Sequence, residues 1–199
     1  MTYLSVILFH NFETLDVFGP VEIFGRLKDL YHVEFYSFEG GIISNEHNVN
    51  IQTKALFEIE FGTDILLIPG GYGTRDEVNH HDLIDLIKTI SHSSSYVLTV
   101  CTGSALLAKT GLLDSRKATS NKRALDWVMT QGTKVNWQQK ARWIQDDKYY
   151  TSSGVSAGMD MSLGFLQDRH GIEFARKVAY QIEYKWNEDS TVDDFWVQE

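Results

Sequence analysis

At 199 residues, with 43% apolar and 23% charged side chains, the chain has the size and composition of one globular domain with a substantial core. Its formal net charge of -9 argues against a nucleic-acid partner, which needs clustered Lys and Arg, and against an anionic membrane surface. A single cysteine excludes an internal disulfide, and no stretch approaches the roughly 20 apolar residues of a membrane span, so the expected compartment is the cytoplasm.

The N-terminal run has no basic flank, so Ser5 to Phe9 reads as a first buried strand rather than a signal peptide. A helix is predicted from about Leu15 to Asp29, with Pro20 near its start, where proline is tolerated. His32 to Phe38 alternates at period two and predicts a second strand, and Ile42 to Thr53 a β-ribbon turning at Asn45 to Asn48. Asp64 to Ile68 is an apolar core strand that stops at Pro69-Gly70-Gly71. Leu83, Leu86, Ile87 and Ile90 then follow helical spacing. Tyr96 to Val100 is another buried strand, closed by Cys101. A short helix through Ser104 to Lys109 ends at Gly111. Tyr149 to Ser152 predicts a late strand, followed by helices from about Ser156 to Asp168 and Ile172 to Trp186. No repeat or linker divides the chain. This alternation indicates a mostly parallel sheet covered on both faces, which binds ligands beyond the carboxyl ends of its strands.

Three loops at that edge carry unusual chemistry. Val100-Cys101-Thr102-Gly103-Ser104 runs from a strand through a nucleophile and a glycine into a helix, as a nucleophile elbow does, although Thr99 stands where such elbows have their first glycine. The helix N-terminus is expected to favour thiolate. The alternative is an inert buried cysteine. Pro69-Gly70-Gly71-Tyr72-Gly73 would let backbone N–H groups approach a ligand closely, or would be only a tight turn; its spacing is not a phosphate-loop fingerprint. Asp16 lies among apolar neighbours at the start of the first helix, where its pKa should rise and it could relay a proton to a nearby thiol, unless it merely caps its own helix. Glu22, six residues on, reads as structural.

These loops, in this order, resemble the ThiJ/PfpI family of the class I glutamine-amidotransferase-like superfamily. The matching stretches are LDVFGPVEIF (15–24), DILLIPGGYG (64–73), TVCTGSALLAKTGLLDSRKAT (99–119) and TSSGVSAGMDMSLGFL (151–166). The resemblance implies a flavodoxin-like three-layer α/β sandwich with a mostly parallel central sheet, a single domain over residues 1–199, and a homodimer. It also implies an acidic partner for the elbow cysteine, which falls on Asp16, and an oxyanion pocket, which falls on Gly71 and Thr102. Aspartate in this place with Cys-Thr-Gly at the elbow resembles the isonitrile hydratase branch most closely. Other branches carry glutamate and act as deglycases, glyoxalases, proteases or redox sensors.

One departure stands out. Many members read Ala-Thr-Thr-His after the elbow helix, and here the stretch is Ala118-Thr119-Ser120-Asn121. Asparagine cannot take a proton at neutral pH, which removes a Cys–His dyad and argues against protease activity. His10 is the best-placed substitute, with His80 and His81 near the rim, but surface roles explain all three. No His/Cys spacing supports a metal site. The Trp127, Trp137, Trp143, Trp186 and Trp196 side chains read mostly as core.

The expected site is therefore Cys101, Asp16 and Thr102 as catalytic groups, with Gly70, Gly71, Asn121 and Gly154 around a small-molecule substrate, and neither metal nor cofactor. By the resemblance, the reaction would be hydration of an isonitrile to an N-substituted formamide. A rival reading is a non-enzymatic oxidation- or ligand-sensing domain, since a cysteine beside a carboxyl can be held as a sulfinate. Related domains are fused to DNA-binding segments in AraC-type regulators, but no helix-turn-helix pattern occurs up to Glu199, which disfavours a DNA-binding regulator. Glyoxalase- or deglycase-type chemistry is a third reading, weakened by the missing histidine.

Overall fold

The strands with unbroken apolar runs form the centre of the sheet, because only there are both faces covered. A computed structural model describes residues 1–59 and 62–196. Its strands are β1 Thr2–Ile7, β2 Tyr31–Ser37, β3 Gly41–Ser44, β4 Asn50–Ala55, β5 Ile65–Ile68, β6 Tyr96–Thr99, β7 Lys117–Ala118, β8 Asn136–Trp137, β9 Trp143–Asp146 and β10 Tyr149–Ser152. Its helices are α1 Thr14–Gly25, α2 Thr74–Glu77, α3 His81–Ser93, α4 Gly103–Lys109, α5 Leu125–Gln131, α6 Ala157–His170 and α7 Ile172–Gln181.

Eight strands form one sheet in the order β3-β4-β2-β1-β5-β6-β10-β9, with β3 and β9 antiparallel to their neighbours and every other pairing parallel. Every residue of β5 is buried, and in β6 only Tyr96 is not. The chain steps one way from β1 to β2 and the other way from β5 to β6, so right-handed crossovers place α1 and α3 on opposite faces. Accordingly α1 packs on α6 and α6 on α7, whereas α3 packs on α4 and α4 on α5. The order reverses between β1 and β5, and the loops leaving β1, β5 and β6 meet there, at the crevice where such sheets bind ligands.

Element type agrees with the sequence reading and boundaries shift. The first helix stops at Gly25 rather than Asp29. The last stops at Gln181 rather than Trp186, where left-handed Glu183 (φ 52°) turns the chain. Between Gly111 and Tyr149 the sequence predicted nothing. The structure adds the two-residue strands β7 and β8, the seven-residue α5, and β9, which forms a hairpin with β10 through left-handed Asp147 (φ 58°). Among the described residues no helix is long and apolar enough to cross a membrane.

Candidate active site

Cys101 has φ 57°, a left-handed conformation that costs a non-glycine residue about 1–3 kcal/mol. The surroundings hold it there. Its N–H donates to the Ser153 carbonyl (3.1 Å), its own carbonyl accepts from Ser104 Oγ (3.0 Å) and Ser120 Oγ (2.7 Å), and Gly103 N–H closes the turn onto Val100 O (2.9 Å). Residue 103 must be glycine, because a Cβ there would run into the Ile68 carbonyl. The cysteine is only 6% exposed, yet it lines a cleft of about 290 Å³.

Asp16 enters from the first turn of α1 and does not cap it; the cap position is Glu13. Its carboxyl is fully buried, accepts from Gly70 N–H (2.9 Å) through Oδ2, and leaves Oδ1 without a partner. Burial pushes its pKa well above the ordinary carboxylate range. The Gly70 N–H pulls back, the charge of Glu13 adds to the rise, and Cys101 and the Val155 N–H oppose it. The neutral acid is thereby favoured. No well-aligned hydrogen bond joins carboxyl to thiol, but the groups lie close enough to perturb each other. Burial also pushes the Cys101 thiol up, and a charge on Asp16 would push it further; the Thr102 N–H, the Asn121 amide and the Val155 N–H oppose this as donors. The expectation that the helix N-terminus would favour thiolate is therefore corrected: desolvation outweighs the end of a seven-residue helix.

The glycine loop also differs from expectation. Gly70 N–H is committed to Asp16, and Gly71 N–H donates to Thr102 Oγ1 (3.1 Å), which also takes the Thr74 hydroxyl (3.1 Å). Neither glycine N–H points free into the cleft, so neither acts as an oxyanion donor in this arrangement. Gly71 (φ 130°) lines the cleft and bridges to Phe12, whereas Gly70 lies behind it. The donors that reach the sulfur come from elsewhere. Asn121 Oδ1 accepts from Arg123 N–H (2.9 Å) and Ala124 N–H (3.2 Å), and this fixes the amide so that Nδ2 is its donating end. Gly154 lies so close that a Cβ would collide with Asn121 Nδ2; it makes room for the amide.

Val155 was not anticipated. It is β-branched yet left-handed (φ 49°), and its N–H faces both Cys101 and Asp16. Glu13, Tyr72, Arg75 and Arg123 also line the cleft. The only sequence signal for Arg75 was its place just after the glycine loop. His10 hydrogen-bonds to Ser44 (3.4 Å) and lines a separate cleft with His80, and among the described residues no histidine lines the Cys101 cleft. A larger cleft, about 640 Å³, lined by Tyr3, Ser5, His32 and Glu34 of β1 and β2, lies away from the thiol. Among the described residues no group of three or more His, Cys, Asp or Glu side chains is placed to hold a metal.

Residues 4–168 match the DJ-1/PfpI family. The chain belongs to that family. Every residue of the candidate site described above falls inside the matched segment, and the tail beyond α6 falls outside it. The chain is 28% identical to isonitrile hydratase of Pseudomonas putida over 91% of its own length and 78% of that protein's. It is 26% identical to the HTH-type transcriptional regulator CdhR of Pseudomonas aeruginosa over 82% of its length, and spans about half (48%) of that regulator. A ThiJ/PfpI family protein from Pseudomonas syringae has the same fold, with a TM-score of 0.84 at 22% identity, over 94% of this chain and 76% of that one.

Proposed function

We propose that this DJ-1/PfpI protein hydrates isonitriles to N-substituted formamides, with Cys101 as nucleophile and Asp16 as proton carrier. One observation carries the reading: a thiol at the cleft and a buried carboxyl just behind it, both driven toward their neutral forms, with no histidine among the described residues that line the cleft. A Cys–His pair would supply a thiolate and a base. An isonitrile asks for something else, because its terminal carbon must receive both the nucleophile and a proton.

In the first step the Asp16 carboxyl gives its proton to the isonitrile carbon as sulfur bonds to that carbon. The thiol proton passes to the vacated carboxylate, with Oδ1 free of other partners to take part. The product is a thioimidate, and both groups have exchanged protons with no net charge created. Water then adds to the same carbon while a proton reaches nitrogen through Asp16. Cleavage of the carbon–sulfur bond, with return of a proton to sulfur, releases the formamide. The Thr102 N–H, the Asn121 amide and the Val155 N–H steady negative charge on sulfur as it leaves. The likeness to isonitrile hydratase supports this chemistry.

A ligand-binding role without turnover is the second reading, favoured by the likeness to CdhR. Oxidation sensing fits less well, because it is the thiolate that attacks peroxide and this thiol is held toward its neutral form. Glyoxalase- or deglycase-type chemistry lacks a histidine base in the cleft, and methylglyoxal should not be consumed. The deciding experiment follows loss of the isonitrile stretch and appearance of the formamide proton by NMR. Turnover by the wild type and none by Cys101→Ala is expected. Full activity of the alanine variant would sink the mechanism, and no turnover by wild type with saturable ligand binding would leave the second reading.

A further inference from the structure

We infer that Arg75 and Arg123 form a carboxylate-binding subsite at the mouth of the Cys101 cleft, so that the substrate carries an acidic group beside its reacting carbon. The inference rests on the hydratase reading for what happens at sulfur, and on the arginines alone for what is bound. Both guanidinium-bearing residues line the cleft.

Arg75 is pre-positioned. Its guanidinium lies 4.3 Å from the centre of the Trp127 ring and 5.4 Å from that of Tyr72, and Nη1 donates to Gly71 O and Thr74 Oγ1, both at 3.3 Å. The aromatic contacts hold the planar fork in place, while Nε and Nη2 have no protein acceptor among the described residues. Arg123 follows the Asn121 cap, its backbone N–H tied to Asn121 Oδ1, and its exposed side chain makes no hydrogen bond or ion pair among the described residues. Elsewhere Arg26, Arg116, Arg142 and Arg176 each have a carboxylate within 4.0 Å, and Arg169 is taken up by the Tyr96 hydroxyl and ring. In a chain with 27 acidic against 18 basic side chains, two arginines on one cleft without a carboxylate partner are a feature that a neutral substrate would not need. Arginine forks match carboxylate geometry and gain most when the ligand is partly desolvated.

Glu13 sets the orientation. It lines the same cleft, has no ion pair among the described residues, and adds its charge to the field at Asp16. Its charge repels an anion from its own neighbourhood, which leaves the arginines to take a ligand carboxylate and the sulfur to take the uncharged isonitrile end. A cleft of about 290 Å³ suits a small ligand.

The test compares isocyanoacetate with its methyl ester as substrates, and N-formylglycine with N-formylglycinamide as non-reacting ligands. Binding is read by titration calorimetry and by the fluorescence of Trp127 beneath Arg75. The charged member of each pair should be preferred about 10- to 100-fold, as expected for hydrogen bonds to a charged group. The preference should shrink with added salt. Arg123→Gln, at an exposed position, should raise KM for isocyanoacetate about tenfold and bring the acid-to-ester ratio toward one, with Arg123→Lys restoring part of it. Equal handling of acid and ester by wild type, with turnover intact, overturns the subsite and spares the hydratase reading. Arginine-dependent binding of N-formylglycine with no isonitrile turned over keeps the subsite and removes the hydratase.

Discussion

Two carboxyls in this molecule are equally hidden and lead opposite lives. Asp16 and Asp160 each lie in the first turn of a helix, and each is fully buried. Asp160 has its valences filled: Arg142 Nε donates to Oδ2 (2.7 Å), and the Tyr184 hydroxyl (3.1 Å) and Asn187 N–H (3.0 Å) donate to Oδ1. Asp16 has one well-formed hydrogen bond, from Gly70 N–H, with the Val155 N–H also facing it, and an oxygen that no hydrogen bond fills. Burial lifts the pKa of both, but around Asp160 a guanidinium and two further donors pull back. Burial is therefore not what marks a reactive acid. An unfilled oxygen beside a reactive group does: Asp193 also keeps a buried oxygen without a partner but faces the Arg142 guanidinium, whereas the free oxygen of Asp16 lies on the carboxyl next to Cys101. The closed cluster also serves the open one. Arg142 reaches Asp193 in the tail (3.3 Å) and Ser156 (3.2 Å), the residue that follows Val155, and so ties the tail to the loop that faces sulfur.

The sharpest way to break this comparison is Asp16→Asn. The amide keeps an acceptor for Gly70 N–H but cannot carry a proton, so isonitrile turnover should fall about 10²- to 10⁴-fold. The denaturant midpoint at neutral pH should stay within about 1 kcal/mol of wild type or rise. A variant that unfolds readily but keeps its activity per folded molecule would show that Asp16 is structural after all. Arg142→Met should do the reverse. It leaves Asp160 and Asp193 buried without their counter-charge and should cost about 3–5 kcal/mol in urea unfolding, a loss typical of half-broken buried ion pairs. An Arg142→Met protein as stable as wild type would mean the cluster is not the anchor described above.

How much of this was legible in the sequence depends on how local each feature is. The elbow, the glycine loop and Asp16 could be read because strand, turn and helix signals fall within a few residues of one another. Their convergence then follows from the α/β alternation. The ionisation of Cys101 could not be read, since the motif speaks of a helix end and the answer lies in the burial of the thiol beside Asp16, Asn121 and Val155. Asn121 looked like a gap where a histidine belongs. Its role as a fixed donor becomes visible only when Arg123 and Ala124 are seen holding its oxygen. Arg142 and Asp193, 51 positions apart, carry no pattern at all. Nor do Arg75 and Arg123, whose shared cleft is assembled from two crossovers.

The smallest expected effect is also the most diagnostic, because it reads the proton on Asp16 directly. Folding raises that pKa, so the folded chain holds the proton more tightly than the unfolded chain. The stability this contributes is complete below about pH 3.9, the unfolded value, and is lost as pH rises toward the folded pKa, at about 1.4 kcal/mol per pH unit. Asp16→Asn has nothing to lose over that range. Asp160, lifted by the same burial, titrates in both proteins and cancels from their difference. Urea unfolding of both from pH 4 to 9 should therefore show wild type losing ground to the variant as pH rises, then running parallel once Asp16 ionises in the folded state. If Asp16 is the proton donor, turnover should decline over the same pH range in which the two curves become parallel. A stability difference that is flat from pH 4 upward would mean that Asp16 ionises like an ordinary carboxyl, and the neutral acid that the hydration step requires would not exist.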